Sequence, residues 1–233
     1  MTVFPSRAAH VAAAGCALLT LASACSSPPK NVQKTDYSGF LSDYSRLQPA
    51  QSASGTPVMR WISPQLSQGG YDKVYLEPPV LYLGKGQQPT KNVSRQTMDQ
   101  IVAYFGNAQR ELLQRHGALA SKPGPRTLRV RTAITAVRAQ EQALKPYEYI
   151  PVALAFAAAE SAAGKRKEDT TVYIEGEASD SQTGELLAEV AREDAGPPLP
   201  NENSKITLQD IQPLLDKWAM EFYRQLESLT KVP

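Results

Sequence analysis

Histidine and cysteine are almost missing from this chain of 233 residues, which has two of each. His10 and Cys16 fall in or beside the first apolar stretch, Ala8 to Ala22, which reads as a leader removed on export. His116 and Cys25 are then all that remain. One thiol forms no disulfide within the mature chain, and a zinc site of the usual Cys/His kind is excluded. A Cys–His pair is excluded too, and a Ser–His–Asp triad would have only His116 to use. No cofactor and no metal are expected.

An excess of one charge is also lacking. Lys and Arg total 25 against 23 Asp and Glu, for a formal charge of +2. A nucleic-acid binder needs a dense basic stripe to displace counterions, so no nucleic-acid partner is expected. With 42% hydrophobic residues and little net charge, the chain has the composition of a folded domain rather than a disordered one. No apolar run reaches the roughly 20 residues of a membrane-spanning helix.

What is present begins at the N-terminus. Arg7, the apolar run 8–22 and then Ala22-Ser23-Ala24 before Cys25 have the layout of a signal peptide over residues 1–24. The last four residues resemble a lipobox, in which the cysteine thiol takes a diacylglyceryl group and becomes the new N-terminus. Ala22 departs from the commoner Leu, and Cys16 is a rival whose use would leave too short an apolar segment. A plain secretory cut after Ala24 is the alternative, but it leaves an exposed free thiol unexplained. Ser26 follows the cysteine rather than Asp, which by resemblance to Gram-negative lipoproteins implies the outer membrane. Acyl chains, palmitate among them, at about 0.8 kcal/mol per buried methylene would make anchoring through Cys25 effectively permanent. Residues 25–36 (CSSPPKNVQKTD) read as a polar tether, and 37–233 as a single periplasmic domain.

Within that domain Tyr37, Phe40, Leu41, Tyr44 and Leu47 recur at helical spacing, which predicts a short helix ended by Pro49. Trp61 reads as a buried anchor. Residues 71–83 (YDKVYLEPPVLYL) alternate as a strand, edge-placed or bulged because Pro78 and Pro79 donate nothing to a ladder. Ser94 to His116 predicts a long amphipathic helix stopped by Gly117. A strand at 127–138 follows, then a hairpin of 171–180 with 185–192 around Gly184. Even-parity pairing is expected, with Val172, Ile174 and Ala178 sharing a face with Leu186, Ala188 and Val190. A second long helix runs from about 207 to 229, its regular part starting near Asp210 because of Pro213. The expected fold is α+β: two long helices on one face of a mainly antiparallel sheet of about four strands.

Three stretches, YSGFLSDYSRLQ (37–48), YDKVYLEPPVLYL (71–83) and YIEGEASDSQTGELLAEV (173–190), resemble a family of bacterial envelope lipoproteins known only as a domain of unknown function. The resemblance implies an outer-membrane-type lipoprotein and brings no catalytic residues with it.

Glu175, Glu177 and Glu189 cluster on one face of the hairpin, and paired carboxylates are what glycoside hydrolysis requires. The plainer expectation is a solvated polar face laddered with Arg129 and Arg131, on which a Gln substitution changes stability by no more than ~0.5 kcal/mol. His116 reads as a helix-end residue facing the last carbonyls. The S-x-x-K matches at Ser27 and Ser228 lack their partner motifs. The segment 147–163 (YEYIPVALAFAAAESAA) is expected to pack on the domain's own sheet. The alternative is a partner surface with Tyr147, Tyr149 and Phe156 as anchors.

The expected function is a non-enzymatic envelope component that presents a binding domain to a protein partner. The runner-up is an auxiliary carrier of lipid or small molecules. An apolar cavity between helices and sheet favours the carrier; a solid core with an exposed Tyr/Ala patch favours the partner module.

Overall fold

The computed structural model describes residues 37–84, 91–142 and 151–233, with backbone alone at 151 and 152. In chain order the elements are β1 (Gln48–Gln51), β2 (Pro57–Ile62), α1 (Pro64–Gln68), β3 (Lys73–Leu76), β4 (Val80–Leu81), α2 (Arg95–Arg115), β5 (Thr127–Glu141), α3 (Pro151–Ala162), β6 (Glu168–Asp180), β7 (Leu186–Ala195) and α4 (Leu208–Leu229). The expected leader, tether and lipidation at Cys25 fall outside the described residues.

The fold is α+β, as expected, but larger and more mixed. Among the described residues the sheet has seven strands rather than about four, in the order β1-β2-β7-β6-β5-β3, with β4 also on β5. Four helices accompany it rather than two, although only α2 and α4 are long. β1, β2, β7, β6 and β5 are antiparallel to their neighbours, whereas β3 and β4 run parallel to β5. The short strands went unseen because pieces of two to six residues carry too little period to register.

Residues 71–83 do lie at the sheet edge, broken where Pro78 and Pro79 stand. Glu77 N–H to Val130 O and Tyr82 N–H to Ile134 O, both 3.0 Å, hold the ends on either side of the gap. The hairpin keeps even parity, with Ala178 opposite Ala188 and Ile174 opposite Arg192. A register shift between Ala178 and Ser179 then turns fully buried Leu187, rather than Leu186, into the core.

Ser94 caps α2, its side chain accepting from Thr97 N–H, and Gly117 beyond the helix takes φ 65°. α4 begins earlier than Pro213 suggested. Thr207 and Asp210 form a capping box, so Asp210 is the third helical residue and Pro213 lies inside. Pro213 is the sixth helical residue, so it leaves the Gln209 carbonyl without its intrahelical donor, a cost the packing of α4 absorbs.

The helices α2 and α4 pack together, with Phe105 edge-on to Trp218 at 6.3 Å between centroids. Their apolar faces join Leu128, Val130, Ile134, Val172 and Ile174 of the sheet in the main core. The opposite sheet face has a smaller cluster of its own, in which Phe40, Leu41 and Leu47 meet Ala133, Tyr173 and Ala191. Residues 37–47 are not the predicted helix. They form a bent strap with Gly39 at φ 91°, although the spaced apolar residues do turn inward as a helix face would. Trp61 is half-buried rather than buried, with the Arg46 guanidinium 3.8 Å above its ring.

Candidate functional site

The polar face of the hairpin is where structure and expectation part most sharply. Glu175, Glu177 and Glu189 are 2%, 9% and 1% exposed, so the solvated-face reading is wrong. The strap covers them and donates to all three, leaving only Glu189 Oε2 without a hydrogen bond. Glu175 accepts the Ser38 N–H at 2.9 Å, the Ser38 hydroxyl at 2.7 Å and the Tyr44 hydroxyl at 2.6 Å. Glu177 takes the Ser42 N–H at 3.0 Å and the Ser42 hydroxyl at 2.8 Å, while Arg131 serves its other oxygen at 2.5 Å. Glu189 accepts the Asp43 N–H at 2.8 Å, with Arg46 3.7 Å from its second oxygen.

This explains why the strap is not a helix. A helix would claim its N–H groups internally, whereas here Ser38, Ser42 and Asp43 donate theirs across the sheet to carboxylates more than 130 residues away. Hydrogen bonds to charged acceptors are worth roughly twice neutral ones, and a buried carboxylate without partners is costly. Tertiary pairing therefore overrides local propensity. Burial pushes the Glu189 carboxyl above its ordinary value, against the pull of the Asp43 N–H and the Arg46 charge. Burial, together with the bond to Glu175, raises the Tyr44 hydroxyl to about 12, so it remains a donor.

Arg131 does ladder as expected, pairing with Glu177, but Arg129 pairs with Glu77 of the edge segment instead. His116 caps α2 and stacks on Tyr223 at 4.2 Å. No metal-binding group of three His, Cys, Asp or Glu occurs among the described residues, and no described helix is long and apolar enough to cross a membrane.

α3 corrects the expectation that residues 147–163 pack on the sheet. Of its described side chains only Ala157 is buried, while Leu154 is 41% and Phe156 71% exposed. Tyr147 and Tyr149 lie outside the described residues.

Two hollows accompany these surfaces. One, of about 170 Å³, lies between α4 and the sheet and is walled mainly by apolar side chains, among them Val58, Phe105, Val130, Ile174 and Val190. The other is a more open cleft of about 440 Å³ between α2 and residues 78–81, edged by Arg95, Asp99 and Arg110. Local pattern does not locate the first, because a cavity depends on which side chains fail to meet.

A family described as "Protein of unknown function (DUF3313)" matches residues 36–222. The chain is 36% identical over 209 residues to the uncharacterized lipoprotein YdcL of Escherichia coli K12, covering 90% of this chain and 92% of the relative. Among solved structures, the rare lipoprotein B from Shewanella oneidensis overlays with a TM-score of 0.34 at 10% identity, covering 67% of this chain and 95% of the other. A minor lipoprotein from Acinetobacter baumannii gives 0.34 at 11% identity, covering 70% and 97%.

Proposed function

The chain belongs to the DUF3313 family, whose relative in Escherichia coli is named a lipoprotein, and from that premise we propose a non-enzymatic component of the cell envelope. In this reading Cys25 carries the acyl chains, the anchor sits in the outer membrane, and the domain faces the periplasm and offers α3 to a protein partner. The observation that carries the partner role is the exposure of Phe156 and Leu154 on a helix rich in alanine. Small side chains allow close backbone approach, and an exposed aromatic is the type of residue that anchors an interface.

The glutamate face supports a holding role over acid–base chemistry. Acceptor oxygens on all three carboxylates are taken up by the strap. The strap continues directly from the tether, and the twelve residues 25–36 reach at most about 40 Å when extended. A pull on the anchor is thus delivered to the middle of the sheet through charge-assisted bonds.

Carriage of lipid is less well supported. A cavity of about 170 Å³ is close to the ~150 Å³ that accommodates benzene, and falls short of a full acyl chain. The larger cleft is open and bordered by charges.

The test is photo-crosslinking in intact cells from positions 154 and 156, with exposed Met220 on α4 as control. A discrete adduct with one envelope protein from α3 but not from position 220, lost in Phe156→Ser at normal abundance, is the expected result. Adducts identical from all three positions would sink the partner role of α3.

A further inference from the structure

One edge of the sheet ends in a short stretch of unpaired backbone. β4 follows Pro78 and Pro79, lies off the main strand order and is joined to β5 alone. Tyr82 N–H goes to Ile134 O, in a parallel register that sets Leu81 opposite Ile134. In such a ladder the bonds to β5 come from the residues on either side, so Leu81 turns its own N–H and C=O to the open edge. Among the described residues nothing takes them. Unpaired groups on an edge strand are a template for a further strand.

That edge borders the open cleft of about 440 Å³. Its sides are apolar, with Pro79, Val80 and Leu81 on one and Val102, Ala103 and Gly106 of α2 on the other. Gly106 lets the two sides close on each other, since a Cβ there would stand 2.7 Å from Pro79 Cδ. Val80 and its neighbour Tyr82 are exposed. The charges on the rim do not balance. Arg95 pairs with Asp99 at 3.1 Å, and Glu111, next to Arg110 in the chain, pairs with Arg115. Arg110 is half-buried and has no hydrogen bond or ion pair among the described residues. A guanidinium without an acceptor thus borders an apolar cleft, and it is the cation best shaped to take a carboxylate.

We propose that this cleft docks an extended peptide segment of a partner protein, added as a strand to β4 through Leu81 and carrying an aspartate or glutamate that reaches Arg110. The strand form follows from the unpaired N–H and C=O of Leu81, the apolar side chains of the segment from the walls, and its acidic residue from Arg110. Strand addition of this kind takes affinity from main-chain bonds and specificity from the side-chain pockets beside them. Arg95 and Arg110 lie about 22 Å apart along the α2 axis, a length that about seven extended residues cover. No residue of α3 lines the cleft, and the proposal does not depend on a partner at α3.

The test uses the purified full-length chain and fluorescent peptides of about seven residues that alternate valine with serine. Glutamate is placed at each position in turn, so that the register is searched. The best binder is remade with glutamine, and with N-methyl groups on alternate amides in each of the two phases. Binding is read by anisotropy and by the NMR shift of the Leu81 amide. The glutamate peptide is expected to saturate and to shift Leu81, with the glutamine form about tenfold weaker. One N-methyl phase, the one whose amides face β4, should be about tenfold weaker than the other. Arg110→Gln should erase the preference for glutamate, and Arg110→Glu should reverse it in favour of a lysine peptide. Both should leave the thermal midpoint unchanged, since Arg110 has no partner to lose. Equal binding of the glutamate and glutamine forms, equal binding of the two N-methyl phases, or a preference that survives Arg110→Gln would each overturn the assignment. So would the absence of a saturable shift with any peptide. Saturation of the Leu81 amide by dodecanoate but by no peptide would overturn it in favour of a small amphiphile, and self-association that shifts Leu81 without peptide would do so in favour of a second copy of the chain.

Discussion

Tyr44 donates its hydroxyl hydrogen to Glu175 at 2.6 Å while the same oxygen accepts the N–H groups of Gly39 at 2.9 Å and Leu41 at 3.2 Å. One oxygen atom thus closes the strap on itself and joins it to the centre of the sheet. The Tyr37 ring stacks on Tyr44 at 4.5 Å, and Phe40 lies edge-on to Tyr82, so the polar clamp is roofed by aromatic surface.

Glu175→Gln should therefore be costly, unlike a substitution on a solvated face. A glutamine has one acceptor oxygen where the carboxylate uses two, and it turns an NH₂ toward the donors of Ser38 or Tyr44. We expect a loss of about 1–3 kcal/mol in urea unfolding, with a comparable loss for Tyr44→Phe. A change within ~0.5 kcal/mol for both would mean that the strap is not docked in solution.

Alkaline stability should report the same contact. The Tyr44 and Tyr71 hydroxyls are both raised to about 12, by burial first and then by bonding to Glu175 and Asp180. A folded value above the unfolded one of about 10 means stability that is whole below pH 10 and lost as pH rises through 12. The thermal midpoint should fall between those limits, and the fall should be shallower in Tyr44→Phe. An identical slope in the variant would remove Tyr44 from the account.

Glu189 gives a separate slope in acid. Its carboxyl is held above the ordinary value by burial, so its contribution is whole below the unfolded value of about 4.5 and is lost as pH rises through the folded one. Between pH 4 and 7 the wild type should lose stability relative to Glu189→Gln. If the difference runs the other way, the Asp43 N–H and Arg46 outweigh burial.

Cys25→Ser should abolish labelling by a palmitate analogue in cells, whereas Cys16→Ser should leave it intact. Labelling that survives the first change and disappears with the second would move the anchor to Cys16.

The long elements were legible because their periods are long. Twenty-one residues of α2 and 22 of α4 repeat an apolar face often enough to be read, and the capping side chains Ser94 and Thr207 stand where the periodicity begins. β1 and β4, of four and two residues, exist only because β2 and β5 offer them ladders. The three glutamates show the limit of alternation as a signal. Period two places Glu175, Glu177 and Glu189 on the face opposite the main core, and that was correct, but it does not say whether water or another segment covers that face.

By itself, then, the chain's composition and patterning determined the poverty in thiol and imidazole, the α+β class, the two long helices and the parity of the hairpin. All of these depend on which residues are present, or on their spacing over one element. Only the tertiary structure decided that residues 37–47 form a strap rather than a helix, that the glutamates are buried acceptors, that α3 stands exposed, and that a cavity opens between α4 and the sheet. Each of those depends on a meeting between residues far apart in the chain, and the energy of such a meeting is absent from any local pattern.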